Sequence, residues 1–176
     1  MEALRQLDRL RRDDRGMAGV EMAIGLIVLT MICLNGVELA QWFYARMEVA
    51  SAAQMATQNA WKACDTQHLP ATTNCSGLNT AIANSLAATK LGASIQLATG
   101  SPTENYYCVN SSGQLTVVGS LSSKPADCSS VGDSTHSPGD YITVAVTMNY
   151  APIFSGITVG RYLPATITSS NMMRLQ

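Results

Sequence analysis

Three sets of residues in this 176-residue sequence have the types and spacing to do chemistry. The first is a single acid, Glu21, lodged at the start of an apolar run. The second is a group of four cysteines that follow the run: Cys64, Cys75, Cys108 and Cys128. The third is two histidines, His68 and His136, with a scatter of carboxylates. The acid asks most for an explanation. From Met17 to Val37 the chain has 21 residues and one charge. A carboxylate in hydrocarbon costs at least about 2.5 kcal/mol, and such groups tend to be functional and paired. Glu21 therefore either stays wet at a membrane surface or meets a cation. Just before it, Gly16 offers a protease an unhindered backbone. Cutting between Gly16 and Met17 would create an amine at that surface. The amine could meet Glu21 on a neighbouring helix, so that both charges are neutralised as they leave water.

The four cysteines are an even set, which reads as two disulfides in an oxidising compartment. Three connectivities are open. The pairing Cys64–Cys75 and Cys108–Cys128 is favoured, because each pair brackets a loop. Each bridge would contribute about 2–4 kcal/mol by restricting the unfolded chain. Zinc is the competing use. Cys64 and His68 are four apart with Cys75 nearby, but there is no Cys-x-x-Cys pair and His136 stands alone. No metal and no cofactor are expected, and the histidines read as solvated loop residues. Carboxylates after the stem are few: Asp65, Glu104, Asp127, Asp133 and Asp140. No nucleophile elbow and no phosphate-cradling glycine loop occurs. The expectation is a protein that is not an enzyme.

The elements that must position these residues follow from charge and periodicity. Charged residues make up 13% of the chain, about half of what a soluble domain carries. The net charge of −1 excludes a nucleic-acid binder that works by bulk phosphate attraction. Five of the eleven basic residues (Arg5, Arg9, Arg11, Arg12 and Arg15) precede Gly16. The run that follows is long enough to cross a bilayer as a helix. Trp42, Phe43 and Tyr44 lie just past it, where interfacial aromatics anchor. The positive-inside rule then puts the N-terminus in the cytoplasm and the rest across the membrane. A cleaved secretory signal fits less well, since its apolar core would be shorter and free of Glu21. Cys33 lies inside the span and acts there as a small apolar residue.

No helix breaker follows the span, so one helix is expected from Met17 to Ala63, about 70 Å long. On its outer half Val49, Ala53, Ala56, Ala60 and Ala63 recur at spacings of three and four. This small-residue stripe either packs on neighbouring subunits or on the chain's own outer domain. Leu78, Ile82 and Leu86 mark one short helix, with Gly92 as its stop. Strands are expected around Ile95 and Leu97, over 106–110 and 114–119 as a hairpin, over Tyr141–Tyr150, and over 165–173. Between the last two runs an apolar loop punctuated by Pro152, Gly156, Gly160 and Pro164. Residues 99–140 are the least regular. The expected fold is α+β: a long transmembrane and stem helix packed against a small antiparallel sheet, with one short extra helix.

The string from Arg15-Gly16 through Val20-Glu21-Met22 resembles a class III signal of the type IV pilin superfamily. With Gly36-Val37-Glu38-Leu39 and Trp42, residues 15–60 are similar to the TadE-like pseudopilins of the tight-adherence (Tad/Flp) pilus. Met22 stands where many such pilins carry an aromatic. The resemblance implies a leader at 1–16 that is cleaved, a membrane and stem helix at 17–63, and a disulfide-stapled outer α+β domain at 64–176. It implies a prepilin peptidase that cuts after Gly16, N-methylation of Met17, and a minor pilin acting in pilus assembly and surface adhesion. Partners would be other pilin subunits, the peptidase, the inner-membrane assembly platform and the membrane itself, with no nucleic acid. The location would be a single pass of the inner membrane, then the pilus. Two other readings stay open. One is an uncleaved membrane-anchored binding module; the other, disfavoured, is a periplasmic enzyme.

Overall fold

A computed structural model describes residues 15–64 and 67–176. Residues 1–14, most of the expected leader, lie outside the described residues, as do Asp65 and Thr66. Helix α1 runs unbroken over Arg15–Ala63, 49 residues. Its sequence explains the length: Ala, Met, Leu and Gln dominate, and no proline interrupts it. Two short helices follow, α2 (Ala71–Asn74) and α3 (Leu78–Ala87). Five strands complete the chain: β1 (Ile95–Leu97), β2 (Thr103–Val109), β3 (Leu115–Val117), β4 (Gly139–Asn149) and β5 (Thr166–Arg174). The fold is α+β, with one short helix more than expected.

The chain divides into two compact units. The first holds α1 up to Trp42 together with residues 152–163. The second holds 43–151 and 164–176. The division falls inside α1 at Trp42, because the loop 152–163 is built onto the helix residues just before it.

In the second unit β4 is the organiser. Its β-branched run gives alternating burial, and Ile142, Val144 and Val146 are fully buried on one face. Each such side chain contributes about 1.5–3 kcal/mol on burial. β5 pairs antiparallel along one edge of β4, from Tyr141↔Arg174 to Asn149↔Thr166. The other edge is shared: β2 pairs with residues 139–143, and β1 with 146–148. β3 closes on β2 as a hairpin. Asn110 shapes the turn, its side-chain oxygen accepting from the Ser112 and Gln114 amides. Gly113 takes the positive φ (77°) that this turn needs.

Val49, Ala52, Ala53, Ala56 and Ala60 on the stem are fully buried within the chain. Four of the five stripe residues thus pack within the second unit, while Ala63 is exposed. The small side chains let the helix come close to the sheet. Thr57, in the same stripe, donates to the Ala53 carbonyl at 2.7 Å and lies 3.3 Å from the Asn171 carbonyl of β5. Leu78, Ile82 and Leu86 form the buried face of α3. That helix ends at Ala87, five residues before Gly92. Gly92 serves the turn that follows: a Cβ there would stand 2.5 Å from the Leu86 carbonyl oxygen.

Candidate functional site

The first seven turns of α1 carry the residues that the sequence marks. Gly16 and Met17 lie in its first turn. Met17 and Glu21 are four residues apart, so they share one face one turn apart. Glu21 is exposed, and so are Val20, Ile24, Ile27 and Ile32 around it. The described segment is apolar and uncovered, which is the surface of a helix that lies in lipid or among other helices. The chain therefore has one N-terminal helix suited to single-pass membrane anchoring. Polar side chains within it are satisfied locally: Thr30 donates to the Leu26 carbonyl and Asn35 to the Met31 carbonyl, both at 2.7 Å. Cys33 is a free thiol on the same exposed surface.

At the C-terminal end of this run sits a residue whose role sequence reasoning missed. Glu38 is 0% exposed. Its two carboxylate oxygens accept the backbone amides of Ile153 (3.2 Å) and Phe154 (3.1 Å). The Asn35 side-chain oxygen accepts the Val159 amide at 2.7 Å. The loop 152–163 is thus pinned to the last turn of the apolar run by three backbone bonds. Hydrogen bonds to a charged acceptor contribute about 1.5–3 kcal/mol each. Thr158, itself buried, closes the loop by donating to the Phe154 carbonyl at 2.9 Å. The following 3-10 turn, Val159–Tyr162, sets Arg161 against Tyr162. The guanidinium lies 4.5 Å from the ring centroid and bonds to the phenol oxygen. The signal that could have found this site was an acid immediately after an apolar span, paired with a proline- and glycine-marked apolar loop.

In the second unit the four cysteines form Cys64–Cys75 and Cys108–Cys128. With both sulfurs of the first bridge joined, the Cys64–His68–Cys75 alternative has no thiolate left for a metal. The second bridge lies in a small core with Tyr106, Val118 and Val131. His136 is held by Asp133, Nδ1 to Oδ2 at 2.6 Å. Hydrogen bonds from Thr135, then that from His136, lower the Asp133 carboxyl to about 2. Asp127 is lowered likewise by its bonds from Ser129.

Two of the scattered carboxylates do come together. Glu104 on β2 and Asp140 on β4 project from one face of the sheet, since Glu104 stands opposite Ile142 and Tyr106 opposite Asp140. They are 3% and 1% exposed. Glu104 accepts the amides of Ala71 and Thr72 and the Thr72 hydroxyl, at 2.6–2.7 Å, so it caps α2. No donor reaches either Asp140 carboxyl oxygen in ordinary hydrogen-bond geometry, though the Glu104 carboxyl and the Tyr141 amide lie near it. Burial, then the charge of Glu104, pushes its carboxyl up to about 7, against a smaller pull from Lys124. Tyr106 is raised by burial and by the same two acids. Glu104 ties the sheet to α2, with Asp140 buried beside it.

Residues 16–58 match the family model described as TadE-like protein. No curated protein and no solved structure matches the chain. The matched segment takes in Met17, Glu21, the clamp residue Glu38 and most of the buried stripe, and stops within the stem. Over this helix the chain is similar to the TadE-like proteins.

Proposed function

We propose that the protein is a minor pilin of a Tad-type pilus, cut after Gly16 by a prepilin peptidase and assembled through its N-terminal helix. The observation that carries this is the uncovered apolar surface of α1, with Glu21 as the one charged residue between Met17 and Val37. A helix buried in the chain's own fold would not fit the role. This one has its outer half occupied by the outer unit and its inner half open to other helices. The new Met17 amine pairs with Glu21 of a neighbouring subunit, so neither charge enters the bundle alone. The disulfide-stapled outer unit is the part presented to surfaces and partners, which makes adhesion its role. Metal, cofactor and catalysis play no part in this reading.

The matched family segment favours this over an uncleaved, membrane-anchored binding module. Intact mass and N-terminal sequencing of membrane-extracted protein separate the two. A mature chain that begins at Met17, with or without an added methyl, and that carries two disulfides is expected. A chain still joined through Arg15 in every molecule overturns the pilin reading and leaves the tethered module.

A further inference from the structure

We propose that the loop 152–163 is a membrane-surface element that dips into the headgroup and acyl boundary of the bilayer face reached by Val37. The inference rests on single-pass anchoring by α1, and on the way the loop is fixed to that helix. The Val159 amide bonds to Asn35, a residue inside the apolar run, and Ile153 and Phe154 bond to Glu38 one residue beyond it. Asn35 and Glu38 are about 4.5 Å apart along the helix axis. The loop backbone therefore lies at the depth of the span's last turn, and a bilayer that covers that turn meets the loop as well.

The loop's composition fits this depth. Ile153 and Ile157 are more than half exposed and Tyr162 is 71% exposed, within twelve residues. Isoleucines left open to water beside a hydrocarbon-spanning helix gain by entering the acyl boundary. Tyr162 and Arg161 form a stacked, hydrogen-bonded pair on the 3-10 turn. A tyrosine ring is stable at the headgroup level, with its apolar body inward and its hydroxyl outward. An arginine beside it can extend to lipid phosphates. Part of the loop's polar backbone is already satisfied, since Glu38 and Asn35 bind the amides of Ile153, Phe154 and Val159 and Thr158 binds the Phe154 carbonyl. The occupant of this apolar face is lipid; a second copy of the chain is the rival.

The test uses the full chain in phosphatidylglycerol/phosphatidylethanolamine vesicles, with Cys33→Ala and a nitroxide on Ile157→Cys or Tyr162→Cys. Ile27→Cys serves as the hydrocarbon reference and a free nitroxide in buffer as the water reference. Collision with oxygen and with a water-soluble nickel chelate reads depth. The expected result is an oxygen-to-nickel ratio at position 157 several-fold above the water reference and below that of position 27, with position 162 nearer the headgroups. A water-like ratio at 157 and 162 with a lipid-like ratio at 27 overturns the loop proposal alone. A water-like ratio at 27 overturns membrane anchoring and the proposal with it. Protection from both reagents at 157, with spin–spin broadening between labelled chains, overturns the proposal in favour of a second copy.

Discussion

Gly160 is seated directly on the Glu38 side chain: a Cβ at position 160 would stand 2.9 Å from both Cγ and Cδ of Glu38, and 2.9 Å from the Pro152 Cβ. The carboxylate is also held by two amides, and a shift large enough to admit a methyl group strains those bonds. Gly160→Ala is therefore expected to loosen the loop by about 1–3 kcal/mol, the usual cost of overpacking. Limited proteolysis of the full chain in detergent micelles checks it. Cleavage between 152 and 163 should accelerate in the variant, and an unchanged rate would mean that the loop is not seated on Glu38.

Glu38→Gln keeps the shape and removes the charge. One amide oxygen remains as acceptor, while the nitrogen faces a backbone N–H. A loss of about 2–3 kcal/mol in urea unfolding of the micelle-bound protein is expected, since a charge-assisted bond is replaced by an unsatisfied donor pair. A change below experimental error would reassign the loop's stability to Asn35 and Thr158.

Asp140 makes stability depend on pH. Its ordinary value is 3.8, and in the folded chain it is raised to about 7. Between those values the folded chain holds a proton that the unfolded chain has lost. This stabilisation is full below about pH 4 and falls as pH rises through the folded value near 7. Asp140→Asn should flatten that fall and add about 1–3 kcal/mol at pH 8, with little change at pH 4. Urea midpoints at pH 4, 6 and 8 decide the matter. If the slope survives in the asparagine variant, another group is its source.

The two bridges close loops with sequence separations of 11 and 20. The chain-entropy relation gives roughly 3 kcal/mol for each. Cys108→Ser/Cys128→Ser also disturbs the core around Tyr106 and Val118, so it should cost more than Cys64→Ser/Cys75→Ser. Thermal unfolding of the two double variants tests this ranking, and equal losses would show that the inner cluster adds nothing beyond the bridge.

Glu21→Ala removes the one charge on the uncovered helix surface. The chain should remain in the membrane fraction, since the apolar run only gains, while its recovery in sheared pili should drop at least tenfold. Normal recovery would remove Glu21 from assembly.

The elements with strong local signals were legible in the sequence. Tyr141–Tyr150 alternates β-branched residues and became β4; Leu78, Ile82 and Leu86 became the buried face of α3; the unbroken Ala- and Met-rich run became α1. Elements that depend on distant partners were not. α2 has four residues and is capped by Glu104, 33 positions from Ala71, so its own sequence carries no cap. Glu104 and Asp140 read as scattered acids until strand register set them side by side. Glu38 fell inside a recognised motif, yet its carboxylate acquires a role only when the loop folds back. The stripe beginning at Val49 illustrates the reverse case: the spacing showed a packing face, and only the folded chain showed that its partner was the protein itself.

The Glu38 clamp joins groups 115 positions apart. At about 5–20 residues per second of synthesis, its two halves emerge roughly 6–23 seconds apart. The two amides that hold Glu38 in the folded chain are made only at the end of that interval. A newborn chain is thus a different object from the finished one, its long helix complete before the loop that seats on it.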